Sequence, residues 1–205
     1  MWIDITMPLH RYLAIWPGDT PFQYRLDATM QQDGANVGQI QMSVHAGTHV
    51  DAPFHYDDFG KSVESLPIDL FIGEVLIVHC VGRSKVDVGI MRTLPIKNER
   101  RVFFKTKEIY NETVFDENFT PLTEEAVHYL ADLGIQLIGT DAPSIDPLNA
   151  ELSAHHACRE RGVTIIENLY LKDVEQGYYE FIGVPLPIQG GDASPIRAVI
   201  RKSIR

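Results

Sequence analysis

Cysteine, basic charge and long apolar segments are all scarce in this sequence, and each shortage argues against a class of protein. Two cysteines in 205 residues are too few for a disulfide framework. A net charge of −10 argues against a nucleic-acid or anionic-membrane partner. No apolar run approaches the roughly 20 residues of a membrane helix, and the first residues lack the features of a signal peptide. We therefore expect a cytoplasmic protein.

The rest of the composition is that of an ordinary folded protein. Hydrophobic residues make up 44% of the chain and charged residues 22%. No internal repeat, low-complexity tract or linker divides the sequence, so we predict one domain over residues 1–205. Strand and helix signals alternate along it, which predicts a mixed α/β fold with a β-barrel-like sheet and a few flanking helices.

Three segments carry the clearest secondary-structure signals. Residues 74–81 are almost all apolar and predict a central strand. Thr123 caps a predicted helix whose apolar stripe ends at Gly134. A second helix, residues 150–161, is ended by Gly162 and leads into a buried strand at 163–166. A short helix or turn is predicted at 86–94, and further strands at 2–6, 22–26, 37–45, 101–106, 135–140, 181–187 and 196–201.

One stretch of the chain concentrates metal-binding chemistry. His45, His49, Asp51 and His55 fall at odd positions within a short segment, and imidazole and carboxylate groups are the usual ligands of a catalytic zinc-like ion. The preceding alternation predicts a half-buried strand. Its core-facing residues would be Ile40, Met42 and Val44. A straight strand would separate His45 from Asp51 by roughly 20 Å, so the backbone must fold back, and Gly47 permits that turn.

Further donors lie downstream of this cluster. Glu167 ends the predicted strand at 163–166, where an unpaired carboxylate would be costly to bury. His155 and His156 are neighbours on a helix and point about 100° apart, so we expect only one of them to face the site. The spacing does not choose between the two histidines. Asp141 follows a predicted strand and either lines a pocket or caps a loop.

A family resemblance rests on these residues. The pattern His-x-Gly-Thr-His-x-Asp-x-Pro-x-His over residues 45–55 resembles the signature of the metal-dependent cyclase family. Three further stretches are similar to the bacterial kynurenine formamidases of that family. They are Trp-Pro-Gly-Asp-Thr-Pro-Phe at 16–22, Glu-Leu-Ser-Ala-His-His at 151–156, and residues 191–200. The similarity covers most of the chain and weakens between about residues 84 and 119.

The resemblance implies a complete set of site residues. The implied metal ligands are His45, His49, Asp51, His155 and Glu167, with Asp51 and Glu167 shared between two ions. His55 would be the catalytic acid/base and not a ligand, and Trp16 would contact the substrate. The histidine-rich ligand set favours Zn²⁺, two per subunit, although Mn²⁺ suits the carboxylates. The resemblance also implies a swivelling β/β/α fold and a homodimer, with the Trp16 loop near the interface.

The implied activity is hydrolysis of a small aryl formamide, N-formyl-L-kynurenine, to L-kynurenine and formate during tryptophan breakdown. His55 would carry a proton to the departing aromatic amine, since the pKa of histidine lies near neutrality. The chain has no Gly-x-Ser-x-Gly elbow of the serine formamidases. Two alternatives stay open: a cyclic-amide hydrolase of the same family that acts on an isatin-type substrate, and a non-catalytic metal- or ligand-binding protein.

Overall fold

The computed structural model describes residues 1–148 and 150–203. Its strands are β1 Ile3–Asp4, β2 Gln23–Ala28, β3 Val37–Gln41, β4 His49–Asp51, β5 Ile72–His79, β6 Arg101–Lys105, β7 Leu137–Thr140, β8 Thr164–Glu167, β9 Gly177–Ile182, β10 Ala193–Pro195 and β11 Val199–Lys202. The α-helices are α1 Met30–Asp33, α2 Val88–Met91, α3 Glu124–Asp132 and α4 Ser153–Arg161. Within the described residues, no helix has the length and apolarity that a bilayer crossing requires.

Nine strands form one curled mixed sheet, in the order β1-β11-β9-β5-β6-β7-β8-β4-β10. The four central strands, β5 to β8, pair in parallel, and antiparallel pairs flank them on both sides. The parallel centre requires crossovers, and α3 and α4 supply two of them. The prediction of a mixed α/β fold built on one large curled sheet is confirmed.

Both faces of the central sheet are buried, which explains the uninterrupted apolar run in β5. Leu76 and Val78 point to the face that α3 and α4 cover, where they pack in one cluster with Leu130 and other helix residues. Val75 and Ile77 point to the opposite face and belong to a second cluster. That second cluster fills the inside of the curl, so the sheet forms two cores, one on each side.

The local signals at the helix ends are confirmed. The Thr123 hydroxyl accepts a hydrogen bond from the backbone N–H of Ala126 at 3.2 Å, which caps α3. Gly134 follows that helix with φ +90°, and Gly162 ends α4 in the left-handed conformation with φ 66°.

The prediction for residues 37–45 is wrong in two respects. The strand ends at Gln41, and all five of its residues are exposed, Ile40 by 58%. It pairs only with β2, in a separate two-stranded sheet. Period-two alternation shows that a strand has two different faces, but it does not show whether anything in the same chain covers the apolar one.

The prediction for the strand at 181–187 is wrong at both ends. The strand predicted at 181–187 is β9, Gly177–Ile182, and the residues after Ile182 are irregular up to β10. Residues 183–187 contain two prolines, which cannot donate to a strand ladder. The short strand β10 lacked a sequence signal of its own, and its antiparallel pairing with β4 positions it.

Candidate metal centre

Two antiparallel strands present three of the candidate side chains on one face of the sheet. In the β4–β8 pair His49 lies opposite Glu167, and Asp51 lies two residues along β4 from His49. Residues two apart on a strand, and residues directly opposite each other across a pair, share a face. His49 Nε2 is consequently 3.2 Å from Asp51 Oδ1 and 3.7 Å from Glu167 Oε2.

A sharp turn before β4 brings His45 to the same place. Gly47 has φ +72°, and a Cβ there would lie 2.9 Å from the Leu9 side chain. The left-handed conformation that glycine permits reverses the chain between His45 and His49. His45 Nδ1 thereby reaches to 3.2 Å from Asp51 Oδ1. The predicted fold-back at Gly47 is present, although it ends before His49, and His49–Asp51 is a regular strand.

Helix α4 delivers the third imidazole from the covering layer. His155 is buried, and its Nε2 lies 3.5 Å from Asp51 Oδ2 and 3.5 Å from Glu167 Oε1. The neighbouring His156 is exposed, with its ring beside Tyr56. The helix thus separates the two adjacent histidines as expected, and the structure brings His155, not His156, to the cluster.

Several polar atoms at the centre are buried without a hydrogen-bond partner among the described residues: His49 Nε2, Asp51 Oδ1 and Asp51 Oδ2. Leaving such atoms unsatisfied costs free energy, most of all for a charged carboxylate. Two groups of donor atoms lie within 4.8 Å of one another here: His45, His49 and Asp51, and Asp51, His155 and Glu167. Nitrogen and oxygen donors in this arrangement fit a divalent cation, and Asp51 belongs to both groups.

Each imidazole of this centre is held by a hydrogen bond at its far nitrogen. The three contacts are His45 Nε2 to Asp192 Oδ2 at 2.8 Å, His49 Nδ1 to the Gly47 carbonyl oxygen at 2.9 Å, and His155 Nδ1 to Asp146 Oδ2 at 2.6 Å. When the far nitrogen donates, the other nitrogen is a free acceptor aimed at the shared carboxylates. This orientation is typical of metal-binding histidines.

Two of these anchoring groups, Asp146 and Asp192, were not predicted from the sequence. Asp146 precedes α4 and also accepts from the backbone N–H groups of Ala154 and His155, both at 2.9 Å. Asp146 lies seven residues before Ser153, the first residue of α4, so no local capping pattern could identify it. Asp192 belongs to the stretch 191–200 that carried the family resemblance, but no local pattern pairs it with His45.

His55 stands apart from the buried imidazoles. It ends a single 3₁₀ turn, Pro53–His55, and a third of its side chain (33%) is exposed. Its ring centroid is 4.1 Å from that of His45, and its Nδ1 is 3.5 Å from Asp192 Oδ2. His45, His55 and Asp192 form a third donor group within 4.8 Å, but the short His45–Asp192 contact is a hydrogen bond and leaves no room for an ion between them.

Two opposing effects set the pKa values in the centre. Burial disfavours the charged form of each side chain, and close pairing of imidazole with carboxylate favours it. Burial favours neutral Asp51, but the imidazoles of His49, His155 and His45 outweigh it and hold the pKa of Asp51 well below its usual value. Burial also disfavours the charged form of His45, yet Asp51 and Asp192 raise its pKa to about 9. For His55 burial wins and lowers the pKa, so this imidazole is neutral at pH 7.

A cavity of about 650 Å³ opens onto this centre. The residues that line it include His45, His49 and His55 of the centre, and Trp16. The Trp16 ring is held edge-on by Phe115, with centroids 5.5 Å apart, and Phe119 lies 6.3 Å from it.

Asp141, for which the sequence left two roles open, is a loop-capping carboxylate. It is buried and accepts hydrogen bonds from the Thr106 backbone N–H, the Thr106 hydroxyl and the Tyr110 hydroxyl. These contacts hold the chain that leaves β6 against the end of β7. Asp141 is not among the residues that line the cavity.

Known proteins are similar to this sequence over almost its whole length. The family described as "Putative cyclase" matches residues 3–147. A kynurenine formamidase of Bacillus cytotoxicus is 40% identical over 202 residues, which cover 98% of this chain and 97% of that protein. A kynurenine formamidase of Geobacillus thermodenitrificans is 40% identical over 203 residues, with 98% and 97% covered.

Solved structures share the fold. One described as a potential metal-dependent hydrolase with cyclase activity has a TM-score of 0.85 at 29% identity, covering 99% of each chain. Isatin hydrolase A from Labrenzia aggregata has a TM-score of 0.83, covering 100% of this chain and 94% of that one. At 20% identity, the second likeness concerns the fold alone.

The curled sheet and its cavity of imidazoles and carboxylates define the class: the chain belongs to the cyclase family and is a hydrolase. Within that family it groups with the bacterial kynurenine formamidases, to which it is 40% identical.

Proposed function

We propose that this protein hydrolyses N-formyl-L-kynurenine to L-kynurenine and formate, a step in the breakdown of tryptophan. The observation that carries the proposal is the set of buried, unpaired donor atoms on His49 and Asp51, at a cavity that Trp16 and His55 also line. Kynurenine formamidases at 40% identity over nearly the whole chain support the choice of substrate.

The donor atoms suit two divalent ions. His45 Nδ1, His49 Nε2 and Asp51 Oδ1 would hold one, and Asp51 Oδ2, His155 Nε2 and Glu167 Oε1 the other. Asp51 would bridge them, and Glu167 Oε2, near His49, lets that carboxylate be shared as well. The imidazole-rich set favours Zn²⁺, and Mn²⁺ is compatible with the carboxylates. When bound, such ions polarise a carbonyl group and lower the pKa of water.

His55 is the proton carrier in this scheme. It lies beside the proposed ligands, is partly exposed to the cavity and is neutral at pH 7, because burial lowers its pKa. A neutral imidazole accepts a proton from the attacking water and returns it to the aromatic amine nitrogen as the formyl C–N bond breaks. Trp16, fixed by Phe115 and Phe119, offers a flat apolar face to the aryl ring of the substrate.

The exposed sheet β2–β3 supports a homodimer. Four of its large apolar side chains are exposed: Tyr24 by 59%, Leu26 by 46%, Val37 by 53% and Ile40 by 58%. The register places Tyr24, Leu26 and Ile40 on one face of this hairpin, and an exposed apolar patch usually marks an interaction site. The loop that carries Trp16 leads directly into β2, so a partner on this hairpin would lie near the cavity mouth. Sedimentation of the purified protein would report a dimer mass. We place this dimer in the cytoplasm.

The test separates metal binding from proton transfer. Purified zinc-loaded protein should convert N-formyl-L-kynurenine to kynurenine, followed by absorbance, and should not prefer isatin. His55→Ala should keep its zinc, measured by elemental analysis, and lose about 10²–10⁴-fold in kcat, the usual contribution of a general acid–base group. The matched control is His128→Ala, because His128 lies on α3, outside the centre, and pairs with Glu124 at 3.7 Å.

The adjacent histidines of α4 provide a second pair of variants. His155→Ala should lose zinc and activity together, whereas the exposed His156→Ala should retain both. Zinc-loaded wild type without turnover of any aryl amide would instead support a binding protein. Loss of zinc in His55→Ala would make His55 a ligand.

A further inference from the structure

The proposed substrate brings a charge problem to the cavity. N-formyl-L-kynurenine is an α-amino acid, so the end remote from the formamide carries a carboxylate as well as an ammonium group. Acidic side chains dominate the cavity wall outside the metal centre: Asp19, Glu112, Asp116 and Glu117. These carboxylates suit the substrate ammonium and repel its carboxylate. A substrate of this kind therefore needs a cation on the wall.

Lys107 is the single lysine or arginine among the described residues that line the cavity. It follows β6 in the segment where the sequence resemblance to the cyclase family is weakest. The backbone at its base is fixed, because the Thr106 N–H donates to Asp141 Oδ1 at 2.9 Å and the Lys107 N–H lies 3.4 Å from Asp141 Oδ2. The side chain thus starts from a rigid point on the wall.

The ammonium group of Lys107 has no ion-pair partner among the described residues. Each ion pair with an N···O distance up to 4.0 Å joins other side chains. The ammonium nitrogen of Lys107 lies 5.1 Å from the centroid of the Tyr110 ring. Burial lowers the pKa of this lysine despite the pull of Asp141 and Asp116. A half-buried cation without a carboxylate partner is an incomplete arrangement that a bound anion would complete.

A purely structural role for Lys107 would be to neutralise Asp141. The hydrogen bonds of Asp141 argue against it, because the Thr106 hydroxyl at 2.6 Å, the Thr106 N–H and the Tyr110 hydroxyl already satisfy that carboxylate. Removing the lysine ammonium would leave those contacts in place.

We propose that Lys107 binds the α-carboxylate of the amino-acid substrate and thereby selects formylkynurenine over aryl formamides that lack the amino-acid end. The assignment rests on the proposed function. In this arrangement the formamide lies at His55 and the aryl ring at Trp16, and the carboxylate reaches Lys107, which lines the same cavity. The acidic side chains around Lys107 are left for the ammonium group.

The experiment compares two substrates that differ only at the remote end: N-formyl-L-kynurenine, and 2′-formamidoacetophenone, which keeps the formylated aryl ketone. Lys107→Met should raise KM for formylkynurenine by about 10- to 100-fold, the usual value of a hydrogen bond to a charged group. It should change KM for the truncated substrate by less than twofold. Lys107→Arg should restore much of the loss. Lys85→Met, at an exposed lysine outside the cavity, is the matched control.

Two further measurements keep the outcomes distinct. Zinc content should be the same in all variants, and calorimetric affinity for L-kynurenine should fall in Lys107→Met alone. An equal loss for both substrates would make Lys107 structural and overturn the assignment, as would no loss for either. If the zinc-loaded wild type hydrolyses neither formamide, the proposed function itself fails. Hydrolysis of both with an unaffected Lys107→Met overturns the lysine assignment alone.

Discussion

At the scale of single residues, the centre depends on groups that hold the imidazoles and do not touch a metal. The Asp146 carboxylate accepts two kinds of hydrogen bond. One comes from the His155 imidazole N–H at 2.6 Å, and the others come from the first free backbone N–H groups of α4. The helix start and the ligand orientation are therefore coupled. Hydrogen bonds to His155 also outweigh the effect of burial and raise its pKa well above the usual value.

Asp146→Asn tests that coupling. The amide keeps the size of the side chain and part of the cap, but it weakens the hold on His155. We expect zinc affinity to fall about 10- to 100-fold, the usual cost of losing a group that orients a ligand. Asp87→Asn is the matched control, because Asp87 caps α2 through the Ile90 N–H at 3.0 Å and lies outside the centre. Equal zinc affinity in the two variants, by competition with a chelating dye, would contradict this role.

At the scale of elements, local rules located the helices and the central strand, and long-range pairing decided the rest. Thr123, Gly134 and Gly162 act on their own neighbours, so their signals could be read in the sequence. The meeting of Glu167 with His49 depends on the register of β4 against β8, which no local pattern encodes. The exposure of Ile40 likewise depends on what lies beyond the strand, and the sequence predicted the opposite.

The same distinction between local signals and long-range contacts explains which residues of the candidate site could be predicted. The cluster at residues 45–55 could be recognised in the sequence because its metal-donor side chains are close together along the chain. Asp146 and Asp192 act through contacts that only the folded chain creates, so their types alone could not identify them. The choice of His155 over His156 depends on the orientation of α4. The spacing does not contain that information, and the family resemblance supplied the choice.

The turn at Gly47 yields a prediction that belongs to the β4 element. Gly47→Ala and Gly34→Ala both place a Cβ at positive φ, +72° and +78°. Each should lose roughly 1–2 kcal/mol of unfolding free energy. Only the first lies in the turn that joins His45 to His49, so relaxation of the backbone strain there moves these imidazoles. Gly34 follows α1, outside the centre.

The measurement is zinc affinity beside thermal stability. Gly47→Ala should bind zinc more weakly than wild type, and Gly34→Ala, of similar stability loss, should bind it normally. A normal zinc affinity in Gly47→Ala would show that the turn does not set the distance between the two imidazoles.

At the scale of the whole molecule, the candidate metal centre joins distant parts of the chain. Asp51 lies near one edge of the nine-stranded sheet, His155 comes from the covering helix layer, and Asp192 comes from the segment before β10. In the absence of an ion these groups hold one another through charge. His45 and His155 have raised pKa values, and those of Asp51, Asp146 and Asp192 are lowered.

The sign of the pH dependence follows from these directions. A folded-state pKa raised from 6.5 to about 9, as for His45, contributes stability that is complete below the unfolded value and lost as pH rises through about 9. The lowered pKa of Asp51 contributes stability above the usual carboxylate range, lost only in acid. The metal-free protein should therefore become less stable as pH rises from about 6.5 to about 9.

The zinc-loaded protein should not follow that trend, because imidazole ligands bind metal as neutral groups and release their protons when it binds. The difference in Tm between zinc-loaded and chelator-treated protein should consequently widen from about pH 6.5 to pH 9, as His45 loses its proton in the metal-free form. Calorimetric scans at several pH values in both states measure it. A difference that stays constant across this range would mean that zinc does not displace the His45 proton, so that His45 could not be a ligand.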